Sequence, residues 1–156
     1  MADTPAPVDF ADVFNAQRNG WDGVVGLRWI RATRDEVVAE YEIGPRHHQP
    51  YGIAHGGVHC SAIESVCSAG AGLDAITRGL SVVGVENHTS FVRAVRAGTI
   101  RVTATPVTRG RRSQLWDATA RDAAGRVVAT GRVRLLCLEA GSEVAGGPLG
   151  RPPSAK

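Results

Sequence analysis

Cysteine is scarce in this chain of 156 residues, and long apolar runs are absent from it. The three cysteines, Cys60, Cys67 and Cys137, are odd in number and lack the spacing of a disulfide framework, so we expect reduced thiols. No segment offers the roughly 20 consecutive apolar residues of a membrane-spanning helix, and the first residues lack the basic and apolar regions of a signal peptide. The sequence therefore predicts a cytoplasmic protein with one domain and no membrane partner.

Lysine and aromatic residues are also rare, which limits the partners that the basic charge can indicate. Lysine and arginine total 18, but Lys156 is the only lysine, and the formal net charge is only +3. Aromatic residues make up 5% of the chain, too few for the stacking surface of a single-strand nucleic-acid binder. The arginines instead favour a small phosphate-bearing partner, because a guanidinium group can bind phosphate in a bidentate manner.

The segment over residues 45–73 is the most distinctive part of the sequence. Turn residues at its start give way to small and apolar residues, which predicts a loop that enters a buried helix from Gly56 to roughly Arg78. Glu64 lies about two turns into this helix and is its only acidic residue before Asp74. An unpaired charge in such a place is costly, so Glu64 has either a functional role or a structural one near an interface.

The predicted helix entrance offers hydrogen-bond donors. The first N–H groups of a helix lack intrahelical acceptors, and the helix dipole favours negative charge there. Gly56 and Gly57 occupy this position, and without a Cβ they would let a substrate approach the backbone closely. The pattern predicts a binding site for an oxyanion at these two glycines.

The rest of the chain is predicted to be largely β, apart from a short helix within residues 8–19. The six predicted strands share apolar and polar alternation bounded by turn residues, and the first two are expected to form a hairpin and the last four a meander. They span residues 24–32, 36–43, 81–95, 99–108, 113–122 and 126–138. The predicted domain boundaries are an N-terminal segment over 1–19, a folded domain over 20–139 and a disordered tail, rich in Gly and Pro, over 140–156.

These elements describe an α+β fold in which a curved antiparallel sheet wraps one long central helix. Over about residues 20–138 the chain resembles the hotdog-fold acyl-CoA thioesterases of the phenylacetate-pathway (PaaI-type) and 4-hydroxybenzoyl-CoA groups. The resemblance rests on H-G-G at 55–57, the acid eight positions after the first of these glycines, V-V-G-V-E-N-H-T-S-F-V-R-A-V-R-A-G at 82–98 and R-G-R-R at 109–112. It implies a hotdog fold that assembles as a dimer or a dimer of dimers, and it implies no cofactor.

The resemblance also implies roles for particular residues. Glu64 would be the nucleophile or general base, and the Gly56 N–H would bind the thioester oxygen. Gln49 would orient the substrate or a water molecule, His55 would position the loop and the carbonyl, and Ser68 matches a hydroxyl residue one turn after the acid. Because such sites form across a dimer interface, Glu64 of one subunit would face Gly56 and Gln49 of the other.

The implied substrate is a small or medium acyl-CoA, with an aromatic acyl group among the alternatives, and its phosphates would meet the cationic segment at 109–112. A solvated strand end is the alternative role for each of these arginines. The residues predicted to bind substrate or coenzyme A are Gly57, Val83, Gly84, Arg93, Arg109, Gly110, Arg111 and Arg112.

Two other functions stay open at this point. A hotdog enoyl-CoA hydratase or dehydratase would pair a histidine with the helix acid, although the chain lacks the G-H-F-P loop pattern of those enzymes. A non-catalytic acyl-CoA binding module would hold the same ligand without hydrolysis. A metal site at His55 and His59, with Cys60 nearby, lacks a third ligand in a recognised pattern, so no metal is predicted.

Overall fold

One long helix crosses a six-stranded antiparallel sheet in the computed structural model, which describes residues 7–149. The helices are α1 (Ala11–Ala16), α2 (Gly20–Val25) and α3 (Gly56–Ile76), and a single 3-10 turn at Pro45–His47 precedes α3. The strands are β1 (Arg28–Ala32), β2 (Val37–Ile43), β3 (Leu80–Phe91), β4 (Gly98–Arg109), β5 (Ser113–Asp122), β6 (Val127–Glu139), β7 (Glu143–Val144) and β8 (Gly147–Pro148). Within residues 7–149, no helix is long and apolar enough to cross a membrane.

The central helix α3 begins at Gly56 as predicted and packs its small and apolar residues on the sheet. On the face of α3 that contacts the sheet, Ile63, Val66 and Cys67 are fully buried. Gly70 brings α3 close to β5, because a Cβ at this position would lie 2.5 Å from ring atoms of Trp116. The small residues of the sequence therefore set how closely the helix and the sheet approach each other.

The strand order in the sheet is β1-β2-β4-β5-β6-β3, so one strand is not where the sequence analysis placed it. The predicted hairpin of β1 and β2 is confirmed, and β4, β5 and β6 form a meander. The predicted meander of four strands is wrong for β3, which pairs with β6 at the edge. The physical reason is that α3, about 30 Å long, carries the chain across the sheet before β3 begins. The alternation of apolar and polar residues predicts a strand but does not indicate which strand it pairs with.

Both ends of the described chain contain structure that the sequence analysis did not predict. Residues 20–25, which include the start of the first predicted strand, form α2, and this helix ends at Gly26 with a left-handed φ of 80°. The segment predicted to be disordered, 140–156, contains the small hairpin of β7 and β8. Residues 150–156 of that prediction, and residues 1–6 of the predicted N-terminal segment, lie outside the described residues.

Candidate functional site

Glu64 projects from α3 toward β3, where neutral groups hold its carboxylate. Asn87 Nδ2 donates a hydrogen bond to Glu64 Oε2 at 3.1 Å, and Ser68 Oγ donates to Glu64 Oε1 at 3.4 Å. None of the ion pairs among residues 7–149 includes Glu64. Its negative charge is therefore stabilised by an amide and a hydroxyl group rather than by a cation.

The strand beside Glu64 has no side chain at the point of closest approach. Any Cβ at Gly84 would collide with Glu64 Oε1. The ladder between β3 and β6 shifts by one residue here, since Gly84 pairs with Leu135 while Glu86 pairs with Arg134. This bulge and the missing Cβ leave room for the carboxylate, and they place Gly84 and its partly buried neighbour Val83, both predicted to bind substrate, beside the acid.

Asn87 is the site residue to which the sequence analysis gave no role. Its side-chain oxygen accepts a hydrogen bond from Thr89 Oγ1 at 2.7 Å, so its Nδ2 group faces α3 and donates to both Glu64 and the Cys60 carbonyl oxygen. Asn87 and Thr89 are two positions apart and share the strand face toward α3. The sequence signal that could have identified Asn87 is the presence of two polar residues on the strand face that covers α3.

The entrance of α3 holds the other predicted group of residues. His55 caps the helix, and its Nδ1 accepts a hydrogen bond from the Gly57 N–H at 2.9 Å. No residue of the described part accepts a hydrogen bond from the Gly56 N–H. Of the two glycines predicted to bind an oxyanion, Gly56 has the available donor, whereas the donor of Gly57 is occupied. The Phe91 ring packs on Gly56, where a Cβ would lie 2.6 Å from a ring atom.

The two groups of residues lie far apart within one chain. Gly56 precedes Glu64 by eight residues of one helix, which corresponds to about 12 Å along its axis. Gln49 belongs to the entrance group, on the loop that leads into α3. The Ala54 N–H of this loop donates a hydrogen bond at 2.7 Å to the carbonyl oxygen of Val95, in the segment between β3 and β4. A single chain therefore presents two separate groups of candidate residues, which we call the acid half-site (Glu64, Ser68, Gly84 and Asn87) and the donor half-site (Gln49, His55 and Gly56).

The predicted arginine cluster separates into one engaged residue and two exposed ones. The Arg109 guanidinium group pairs with Asp35 at 2.6 Å and lies 5.9 Å from the centre of the Trp116 ring. Arg111 and Arg112 are exposed and take part in none of the ion pairs within residues 7–149, and the same is true of Arg93. Gly110 forms the predicted tight bend, since a Cβ there would lie 2.7 Å from the Ser113 carbonyl oxygen.

Two adjoining cavities lie on the side of α3 that carries Glu64. The first, which we call the polar cavity, has a volume of about 390 Å³ and is bounded by Glu64 itself. Its remaining lining residues are Phe14, Gln17, Arg18, Asn19, Asp22, Trp29, Ser65, Ser68 and Ala69. The second, which we call the apolar cavity, has a volume of about 270 Å³ and shares Phe14, Ser68 and Ala69 with the first. A small molecule that reaches Glu64 therefore has both polar and apolar surfaces available to it.

The two histidines on α3 have different environments. His59 is buried, its Nδ1 lies 2.7 Å from Tyr41 Oη, and desolvation lowers its pKa to about 4. His55 is exposed and uses its Nδ1 to cap Gly57. The first histidine therefore faces the core and is neutral at physiological pH, whereas the second lies at the helix entrance.

Comparisons with known proteins identify relatives of this chain. A protein of Mycobacterium tuberculosis (strain H37Rv) named "Putative esterase Rv1847" is 42% identical over 140 residues, covering 88% of this chain and 95% of that protein. Its solved structure superposes with a TM-score of 0.76 at 44% identity, covering 77% of this chain and 97% of that one. "Proofreading thioesterase EntH" of Cronobacter turicensis is 35% identical over 109 residues, covering 70% of this chain and 79% of the relative.

A more distant structure and a family model extend the comparison. The solved structure of thioesterase HI1161 from Haemophilus influenzae has a TM-score of 0.78 at 26% identity, covering 83% of this chain and 90% of that chain. The family model described as thioesterase superfamily matches residues 51–129, which include Gly56, Glu64 and Asn87. These matches confirm the predicted hotdog fold, and the chain belongs to the thioesterase superfamily.

Proposed function

We propose that this protein hydrolyses the thioester of a small or medium acyl-CoA to the free acid and coenzyme A. The observation that carries the proposal is the environment of Glu64. Its carboxylate has no cationic partner among the described residues, is oriented by Asn87 and borders a cavity. An acid that is neither neutralised nor sealed in the core is available for chemistry.

In the proposed mechanism, the Glu64 carboxylate attacks the thioester carbonyl carbon or deprotonates a water molecule that does so. The negative charge that develops on the carbonyl oxygen is stabilised by the Gly56 N–H of a second subunit. The C–S bond then breaks, and the coenzyme A thiolate leaves and takes up a proton. If Glu64 is the nucleophile, water hydrolyses the resulting mixed anhydride, so both routes consume one water molecule and release one acid.

A second copy of the chain is required because the two half-sites do not meet within one chain. β3 is a 12-residue edge strand, and the exposed apolar side chains of Val85, Phe91 and Val92 lie on it or next to it. Such an edge favours pairing with another strand. Antiparallel pairing of two β3 strands, centred between Asn87 and His88, would place Phe91 of one copy opposite Gly84 of the other. Since Phe91 packs on Gly56, this arrangement would bring the donor half-site of one copy to the acid half-site of the other.

Coenzyme A phosphates are proposed to bind to Arg93, Arg111 and Arg112, which are exposed and lack ion-pair partners within residues 7–149. Arg109 is a weaker candidate, because Asp35 and Asp74 already neutralise it.

The test is a thiol-trapping assay across aromatic, short and long acyl-CoA substrates, with the parent, Glu64→Gln and the control Glu139→Gln. Glu139 is exposed at the end of β6 and belongs to none of the ion pairs of the described residues. We expect hydrolysis by the parent and the control, and its loss in Glu64→Gln. Tight acyl-CoA binding without thiol release would identify a binding module, and water addition to an enoyl-CoA would identify a hydratase; either result would overturn the proposal.

The shared site is tested by mixing subunits. A heterodimer of Glu64→Gln and Gln49→Ala subunits would contain one intact site if Glu64 and Gln49 act from different chains, and none if they act within one chain. We expect activity to return on mixing, to about half of the parent value per dimer. Persistent inactivity of the isolated heterodimer would contradict a site formed between subunits.

A further inference from the structure

The apolar cavity begins one helical turn beyond Glu64. Ser68, whose hydroxyl group donates to Glu64, lies at the boundary between the polar and the apolar cavity. Beyond it the lining is almost entirely apolar and comes from α1, the second half of α3 and the start of β3, with one residue from the C-terminal segment. The lining residues are Phe10, Phe14, Ser68, Ala69, Gly72, Leu73, Ile76, Leu80, Ser81, Val82 and Leu149.

The wall that α1 contributes is firmly attached to the sheet. Asn15 pairs with the backbone of Trp29 through two hydrogen bonds, at 2.8 Å and 3.0 Å, and Asp9 Oδ1 accepts a bond from the Ala32 N–H at 2.9 Å. The Phe14 ring packs edge-on against Trp29 with 5.0 Å between ring centres. Because both ends of this short helix are held, Phe10 and Phe14 form a fixed surface opposite α3.

We propose that the apolar cavity holds the acyl group and that Phe10, Phe14 and Gly72 determine the acyl size. This inference depends on the proposed thioesterase function and extends it to substrate class. Three observations carry it: the cavity adjoins the acid through Ser68, its lining is apolar, and the attached helix α1 bounds it. The acyl chain would run along α3 from the carbonyl carbon at Glu64 toward Leu73.

The cavity size defines the substrate class. At about 30 Å³ for a molecule of liquid water, its 270 Å³ corresponds to roughly nine such volumes. An acyl group of about eight to ten non-hydrogen atoms would fill it, either a substituted aromatic ring or a medium aliphatic chain. We expect kcat/KM to rise with acyl size up to this point and not beyond it, since further carbons would gain no apolar contact.

Gly72 allows the cavity to be filled without disturbing the fold. A Cβ at this position meets only Val82 Cγ2, at 3.8 Å, which is ordinary contact, so a larger side chain extends into the cavity. Residues with a side chain are also favoured over glycine inside a helix. Gly72→Leu should therefore fold and reduce kcat/KM for acyl groups of eight or more carbons on the order of 10-fold, a larger loss than for acetyl-CoA.

A complementary variant enlarges the cavity, and a control variant replaces an aromatic residue that lies outside the cavity lining. Phe14→Ala should move the best substrate to a longer acyl group, whereas Trp21→Ala, at a 61% exposed position outside the lining, should leave the size profile unchanged. An active parent with the same size profile in Gly72→Leu and Phe14→Ala would overturn this inference alone. A parent that hydrolyses no acyl-CoA would overturn both this inference and the proposed function.

Discussion

Glu64 and Asp74 lie ten residues apart on the same helix, yet they differ in their charged partners and in their access to a cavity. Asp74 Oδ2 accepts hydrogen bonds from Arg78 Nη2 at 2.9 Å and Gln114 Nε2 at 3.2 Å, and Oδ1 lies 3.6 Å from Arg109. Its side chain is 8% exposed. Glu64 borders a cavity, and within residues 7–149 only an amide and a hydroxyl group donate hydrogen bonds to its carboxylate.

This difference indicates what each carboxylate does. Two arginines neutralise Asp74 and link the end of α3 to β4. Removal of one partner from such a buried ion pair destabilises the fold, because the other charge stays buried without a partner. Glu64 has no arginine partner in the described part of the chain, so substitution of Glu64 leaves no buried cation there. The same helix therefore carries one acid suited to stability and one suited to reaction, and substitution of each should affect a different property.

The largest expected effect is on the activity of Glu64→Gln. If Glu64 acts as nucleophile or general base, its loss should lower kcat by about 10²- to 10⁴-fold. The free energy of unfolding, measured with urea, should stay the same or rise, because no cation loses its partner. An inactive variant that is also strongly destabilised would mean that Glu64 resembles Asp74 and is structural.

Asp74→Asn should show the opposite pattern. It leaves Arg78 and Arg109 without their shared carboxylate, so we expect a loss of roughly 3 to 4 kcal/mol in the free energy of unfolding. Both arginines keep some contact with water, which places the estimate below the upper end for a fully buried pair. The kcat per folded enzyme should remain close to the parent value, and a selective loss of activity at full stability would contradict the comparison.

His59 is a third ionisable group on α3, and it should make stability depend on pH. Burial lowers its pKa to about 4, below the ordinary value of 6.5, so the unfolded chain binds the proton more readily between these values. Stability should therefore fall as pH drops from 6.5 toward 4, by about 3 kcal/mol in total. His59→Gln should remove this contribution, as the difference in urea unfolding between the parent and the variant would show; parallel curves would contradict it.

Sequence alone predicted the features of the site that depend on one element. Glu64 and Gly56 were found because an acid inside an apolar helix, and glycines at its entrance, are recognisable without knowing what packs against them. Phe10 and Phe14 were missed as cavity residues, since their relevance depends on how α1 packs across α3.

Contacts between elements that are distant in the sequence could not be predicted from local patterns either. The alternation in β3 predicted a strand but not its position beside β6, and so it did not reveal that Asn87 would meet Glu64. Similarly, R-G-R-R predicted a cationic patch, but the pairing of Arg109 with Asp35 connects residues 74 positions apart. Local patterns identify elements, whereas these contacts depend on the topology.

The smallest effect distinguishes the residue that touches Glu64 from the residue behind it. Asn87→Ala removes a hydrogen bond to a charged group, worth about 1.5 to 3 kcal/mol, so kcat should fall by roughly 10- to 100-fold if the bond persists in the transition state. Thr89→Val removes only the hydroxyl group that orients the Asn87 amide, and its effect should be smaller and in the same direction. Asn87→Gln keeps the amide and should recover part of the activity. If Asn87→Ala instead raises KM and lowers the free energy of unfolding but leaves kcat unchanged, Asn87 only joins β3 to α3, as the partners of Asp74 join the other end of the helix to the sheet.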